Sequence, residues 1–248
     1  PEAREFVKIS MFKENKASMM HEIMNGNIAC RCGTACVVKM FENQWFIDYS
    51  NPKWKSIARN CIDKMSLLPN DIRSEFDYTI GWLKEKACAR KSGLGTKLPW
   101  DSEWKIEALS DSVIYMAYYL LSKYINLFNI ESDKLTDNLF DYVFLGIGDP
   151  AIISTNTGLE ESILKDMRDE FMYFYPLDSR HSGRDLVPNH LTFFIFNHSA
   201  VFPREYWPKE IVVNGSVLME GKKMSKTYGN IIPLRDAVKK YGADPLRL

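Results

Sequence analysis

Residues 210–230, EIVVNGSVLMEGKKMSKTYGN, join an apolar, β-branched run to a decapeptide, Gly221 to Asn230, that carries three lysines, two small hydroxyl residues and two glycines. The run suits a buried strand, because β-branched side chains pack well on a pleated surface. The decapeptide breaks all periodicity and reads as a loop. Upstream lie a strand candidate in LDSRHSG (177–183) and a helix candidate, NHLTFFIFNHSAVF (189–202). Downstream, LRDAVKKYG (234–242) has helical spacing. Strand, helix, strand, loop, helix at these lengths predicts an α/β fold around a Rossmann-like, doubly wound parallel sheet. In such a sheet ligands sit beyond the carboxyl ends of the strands, where glycine-bearing loops let N–H groups and lysines approach phosphate. Lys223 and Lys226, beside Ser225 and Thr227, suit a triphosphate whose charge shifts toward pyrophosphate during displacement. A solvated basic loop is the other reading of the same residues.

Working outward, residues 1–29 form a mixed opening segment, followed by CRCGTACVVK and a short strand candidate, QWFIDY (44–49). WKSIARNCIDKM (54–65) has apolar residues at spacings of three and four, with Asn51 and Pro52 as start signals. KSGLGTKLPW (91–100) is expected to be loop, and SDSVIYMAYYLLSKYINLF (110–128) a long helix capped by Ser110 or Asp111. Residues 130–174 are more polar and read as short helices around the turn GIGDP.

Lysine plus arginine, 32, equal aspartate plus glutamate, 32, so whole-chain charge argues neither for nor against a polyanion partner. There is no run of about 18 apolar residues and no secretory signal segment, so no membrane partner is expected. Five cysteines, an odd number, suit a reducing cytoplasm better than a disulfide framework. Cys30, Cys32 and Cys36, spaced C-x-C-x3-C beside Gly33, could supply part of a tetrahedral zinc site. Free cysteines are the alternative. In GRDLVPNH, Gly183 permits close backbone approach, and Asp185 can accept from ribose hydroxyls or simply cap a turn. Ser112 and Asp111 could hold a substrate ammonium or cap the helix.

KMSKT at 223–227 closely resembles the KMSKS signature of class I aminoacyl-tRNA synthetases, with Thr227 keeping the final hydroxyl. SGRDLVPNH (182–190), WLKEKACARKSGLGTKLPWD (82–101), SDSVIYMAYY (110–119) and YGADPLRL (241–248) extend the resemblance to the leucyl synthetases of the archaeal and eukaryotic type. That resemblance implies ATP-dependent activation of leucine, with Mg2+, and its transfer to tRNA(Leu). It implies that Lys223, Met224, Ser225 and Lys226 join Gly183 and Asp185 at ATP, with Lys223 and Lys226 catalytic. It places Tyr115 and His190 in the leucine pocket, with Ser112 beside them. Arg90 matches an arginine that positions the tRNA acceptor end. Met116, Tyr118 and Leu120 are expected in the core.

The family's HIGH signature is missing: none of His21, His181, His190 and His198 stands in such a context. The resemblance therefore implies the second half of a catalytic core, with the other phosphate-gripping half outside this chain. Residues 1–45 would return from an editing insertion, carrying a Cys-containing β-ribbon. Residues 46–129 would be catalytic core, 130–174 a helical insertion, and 175–248 the second nucleotide-binding half and the start of a helical region. Another nucleotidyl-transfer enzyme on the same sheet, and a non-catalytic RNA-binding module, share some of these features.

Overall fold

The computed structural model describes residues 2–18, 20–23, 26, 28–30, 32–40, 42–225 and 229–247, with the backbone alone at Lys223. The chain divides into two compact units, Pro1–Gln44 and Trp45–Leu248. In the first, helix α1 (Glu2–Lys13) has Glu2 and Glu5 in its first turn and Lys13 in its last, which complements the helix dipole, yet buries no residue. Where a cysteine-bearing ribbon is expected, the described residues form one antiparallel bridge, Ala29 with Ala35. Cys30 N–H donates to the Thr34 carbonyl at 2.8 Å and Cys36 N–H to that of Ile28 at 2.7 Å.

The second unit begins with strand β1 (Phe46–Asp48) and helix α2 (Pro52–Lys64). The Asn51 side chain accepts from the Lys53 and Trp54 N–H groups, and Pro52 occupies the first turn, as the sequence predicts. Strand β2 (Ser66–Leu68), helix α3 (Ile72–Trp82) and strands β3 (Glu85–Ala87), β4 (Ala89–Arg90), β5 (Lys97–Leu98) and β6 (Asp101–Ile106) follow. Strand β3 pairs with β1, while β4 and β5 flank β6 in an antiparallel sheet with a small core of Ala89, Leu98 and Trp104. The expected loop 91–100 thus contains a strand: Lys97 and Leu98 pair with Lys105 and Asp101.

Helix α4 (Ala108–Asp111) is a single turn, and α5 (Tyr115–Leu127) starts only after it. Ser110 and Asp111 therefore lie inside a preceding turn and cap nothing in α5, whose N-cap Ile114 makes no side-chain cap bond. Tyr118, expected in the core, is exposed, while Ala117, Leu121 and Tyr124 are buried. One register of the aromatic stripe faces out, since only about a third of a helix surface meets a core. Next come α6 (Asp137–Phe140), a π-turn at Asp141–Leu145, α7 (Pro150–Thr157) and α8 (Glu161–Phe174). GIGDP is a turn as expected: left-handed Gly146 ends the π-turn, and Asp149 caps α7 ahead of Pro150. Leu164, Met167 and Phe171 of α8 join the same core as Ile62 and Phe194, so 130–174 is packed into the unit.

Strand β7 (Arg180–Gly183), a π-turn at Val187–Leu191, helix α9 (Thr192–Val201) and strand β8 (Glu210–Asn214) supply the predicted alternation. β8 is central in a three-stranded parallel sheet ordered β2-β8-β7, with Leu67 and Arg180 both beside Ile211. Sequence reading missed β2, because a three-residue strand carries no detectable period. After β8, β9 (Leu218–Met219) and β10 (Lys222–Lys223) form a two-residue hairpin, and helices α10 (Leu234–Tyr241) and α11 (Ala243–Arg247) end the chain. No helix among the described residues is long and apolar enough to cross a membrane.

Helix α9 buries Phe193, Phe194, Ile195 and Phe196 in succession, as a helix apolar on all sides must. Trp54 Nε1 donates to the Phe196 carbonyl at 2.8 Å, and the Tyr49 ring stacks between Trp54 and Phe193 at 5.2 and 4.9 Å. His198 is fully buried there. Its Nδ1 donates to the Phe194 carbonyl at 3.0 Å, so Nε2 accepts from the Tyr175 hydroxyl at 3.3 Å. Burial above all pushes its pKa down to about 3.

The folded state thus excludes a proton that the unfolded chain binds below about pH 6.5. Stability is unaffected above that pH and falls as pH drops through the window from about 6.5 to about 3, by about 1.4 kcal/mol per pH unit for this one group. Urea unfolding at pH 7.5 and 5.5 should reveal that slope in the wild type, and His198→Gln, with no ring to protonate, should lose it. An equal slope in both proteins refutes the assignment.

Candidate functional site

Parallel pairing aligns the carboxyl ends of β2, β8 and β7 along one edge of the sheet, with Gly183 directly beside Asn214. The chain leaves β7 through a tight turn at Arg184–Leu186 and enters the π-turn that carries His190. Gly183 has φ −78° and ψ 146°, open to any residue. Its lack of a side chain leaves room for a neighbour: a Cβ added there would lie 2.7 Å from Asp185 Oδ1, so that carboxylate would have to shift. The Asp185 carboxylate folds back over the glycine at the strand end, where a ribose-reading carboxylate is expected.

Arg184 reaches the other way. Its Nε donates to Glu75 Oε1 and its Nη2 to Asp71 Oδ2, both at 2.7 Å, tying the turn to the start of α3. These pairs are largely exposed and contribute little stability of their own. Asn189 Nδ2 donates to the Asp185 carbonyl at 3.2 Å, which joins the two turns.

His190 is 8% exposed. Its Nε2 lies 3.2 Å from both the carbonyl and the hydroxyl of Ser112. A carbonyl only accepts, so Nε2 carries the proton and Nδ1, buried without a partner, is the bare acceptor. Burial, and then the charge of Arg180, hold this imidazole below its usual pKa, which keeps it neutral. Ser112 is the C-cap of α4, its N–H bonded to the Ala108 carbonyl, and its side chain meets His190. Tyr115 opens α5, and its hydroxyl accepts from Arg180. The structure therefore brings His190 onto Ser112, 78 positions away in sequence, and adds Arg180, which sequence reading overlooked, as the partner of Tyr115.

The lysine loop is carried by the β9–β10 hairpin, whose turn residues Glu220 and Gly221 have φ 50° and 75°. Two consecutive positive φ values are the geometry of a two-residue hairpin turn, and Gly221 adopts it without strain. Met224 and Ser225 are half-buried, and Ser225 N–H donates to Asn230 Oδ1 at 2.9 Å, closing the loop's base. Lys226 and Thr227 lie outside the described residues, as does the Lys223 side chain.

Arg90 shapes its own loop: Nη2 donates to the Leu94 carbonyl, and Lys105 Nζ donates to that of Gly93 at 2.6 Å. Its Nε is buried without a partner. Cys30, Cys32 and Cys36 are exposed, and among the described residues no three of His, Cys, Asp and Glu gather to hold a metal. A hydrogen bond to the Thr34 hydroxyl, first of several causes, lowers the Cys32 thiol to about 7. As placed, the three thiols do not gather into a tetrahedral zinc site among the described residues.

Residues 155–248 match the family profile of class I tRNA synthetases for isoleucine, leucine, methionine and valine. Along all 248 residues the chain is 52% identical to leucine–tRNA ligase 2 of Saccharolobus solfataricus, of which it spans 26%. The chain is thus similar along its whole length to class I aminoacyl-tRNA synthetases. Over 246 residues it is 54% identical to the leucine–tRNA ligase of Pyrobaculum islandicum, spanning 99% of this chain and 26% of that one. For the Methanocaldococcus jannaschii enzyme the figures are 54% over 228 residues, with 92% and 24% coverage. The synthetase segment thus covers about a quarter of the length of these relatives. A Mycobacterium tuberculosis methionyl-tRNA synthetase, in complex with methionyl-adenylate, shares the fold with a TM-score of 0.56 at 19% identity, over 91% of this chain and 36% of that one.

Gly183→Ala tests the strand-end geometry directly. The backbone there suits alanine, so the thermal midpoint should move by no more than about 3 °C, the size of a change near 1 kcal/mol in a chain this long. A crystal structure of the variant should show the Asp185 carboxylate displaced from its place over residue 183. An undisturbed carboxylate would contradict the close approach.

Proposed function

We propose that the full-length protein is a leucine–tRNA ligase, which activates leucine with ATP to leucyl-adenylate and transfers it to tRNA(Leu) in the cytoplasm. The observation that carries this reading is the 52% identity to a leucine–tRNA ligase along the whole chain. Asp185, over Gly183, receives the ribose hydroxyls. The loop of Lys223, Met224, Ser225 and Lys226 meets the triphosphate, accompanied by Mg2+, and its lysines are placed to stabilise charge that develops as pyrophosphate leaves. Lysine suits that task as a mobile point charge on a flexible stem.

Ser112, Tyr115 and His190 wall the leucine pocket. A neutral His190 suits an apolar substrate side chain, because a buried imidazolium would need a counter-charge. Arg90 braces the loop of residues 91–97 that would meet the tRNA acceptor end. The proposed division follows the chain: residues 1–45 return from an editing insertion, 46–129 and 175–248 are catalytic core, and 130–174 are inserted between them.

Leucine-dependent ATP–pyrophosphate exchange by the full-length protein, in preference to isoleucine and valine, tests the reading. A protein that activates methionine or isoleucine instead overturns the leucyl assignment. In the same protein Lys226→Ala should slow adenylate formation by roughly 10²- to 10³-fold while leucine binding changes little, since the lost contact acts in the transition state. Rapid-quench measurement that finds an unchanged rate would reduce the loop to a solvated turn.

Asp185→Ala should raise KM for ATP by roughly ten- to a hundredfold, the worth of a charged hydrogen bond kept in ground and transition states alike. A 2′,3′-dideoxy ATP analogue has no hydroxyl to lose, so its KM should hardly change. Equal penalties for both nucleotides would make Asp185 a turn residue only.

A further inference from the structure

The residue that organises the proposed leucine pocket most directly is one that no motif singled out. Arg180 begins β7 beside Ile211 of the central strand, so its backbone is fixed by the parallel ladder. Its guanidinium is half-buried, with Nε fully enclosed and unpartnered. Among the described residues no carboxylate lies within ion-pair reach of it. What it meets is Tyr115: Nη1 donates to the Tyr115 hydroxyl, and the guanidinium carbon stands 5.3 Å from the centre of the same ring. The same ring also meets Tyr119, with centroids 5.0 Å apart and planes tilted by 59°.

A half-buried cation with Nε enclosed and no carboxylate beside it gains nothing from packing that an apolar side chain of equal length would not supply. The charge therefore calls for a use beyond packing. A tyrosine ring turns easily about its second side-chain torsion, whose preference is broad. The hydroxyl lies on the axis of that torsion, so the hydrogen bond anchors the far end of the ring, while the guanidinium and Tyr119 beside the ring oppose its turning. Tyr115 stands three residues from Ser112, which in turn holds His190. Fixing the ring fixes one wall of the pocket against the other two.

We propose that Arg180 is a positioning residue that sets amino-acid specificity: by holding both the hydroxyl and the ring of Tyr115, it fixes the shape against which a branched aliphatic side chain is read. This inference rests on the leucine-pocket reading of Tyr115, Ser112 and His190. Arg180 does not itself touch leucine; it acts through Tyr115. Discrimination between aliphatic side chains differing by a methyl group's position depends on such shape, and a misfit of one methylene is worth roughly 10- to 200-fold.

The test uses the full-length protein in leucine- and isoleucine-dependent ATP–pyrophosphate exchange. Arg180→Met, which keeps length and loses charge, should raise KM for leucine about tenfold and cut the leucine-to-isoleucine ratio of kcat/KM about tenfold. KM for ATP should stay unchanged, which a general loss of structure would not allow. Tyr115→Phe removes only the hydroxyl that Arg180 holds and should shift the same two quantities in the same direction. The double variant should be no worse than Arg180→Met alone, because both changes break one contact.

Additive effects, an unchanged leucine-to-isoleucine ratio, or an equal rise in KM for ATP would each overturn the proposal. Should Arg180→Met fail to fold, Tyr115→Phe decides by itself: unchanged leucine KM and selectivity refute the inference. Wild-type exchange serves as the control that separates the two levels. A wild type that does not activate leucine removes the pocket reading, whereas a wild type that does, with unaffected variants, removes the role of Arg180 alone.

Discussion

Strand β8 is the constraint on which the second unit depends. Because it pairs in parallel with β2 on one side and β7 on the other, each neighbour must be reached by a crossover, and each crossover must be buried. The crossover from β7 to β8 contains α9, and burial on all sides follows: four consecutive apolar residues and His198 leave solvent together. The same pairing forces the strand ends to one edge. Gly183 and the turns after it, with Asp185 and His190, inherit their positions from this ladder.

Two polar networks refine what the ladder sets coarsely. On one side Arg184 ties the Asp185 turn to Asp71 and Glu75 of α3. On the other, Arg180 holds Tyr115 while Ser112 receives His190. The first network is worth little as stability, since exposed ion pairs contribute little. The effect of both networks is to choose directions for side chains that the backbone leaves free. Any pocket that separates one aliphatic side chain from another needs that kind of definition, because the energy differences between such side chains are small.

His190 and His198 illustrate how burial and tautomer assignment work together. Both are held below their ordinary pKa, first by burial and with Arg180 as a contributing charge. Each has one nitrogen facing a carbonyl, which fixes its proton. The outcomes differ: His198 closes its second nitrogen on Tyr175, whereas His190 leaves Nδ1 bare in the site. The first is a satisfied core residue, the second a polar atom awaiting a neighbour.

The sequence by itself determined the parallel α/β architecture around 177–242 and the α2 start at Asn51 and Pro52. Those features are written in local period, turn chemistry and motif spacing, which need no distant partner to be legible. It did not determine β2, the pairing of Lys97 and Leu98 or the break between α4 and α5, since strands of two or three residues exist only through their neighbours. Nor did it reveal that Arg180 faces Tyr115, that Arg184 clamps α3, or that the three exposed cysteines fail to converge. Those are contacts across long sequence separations or the absence of them, and only the tertiary fold, by deciding which surfaces share a crevice, gives each side chain its partner.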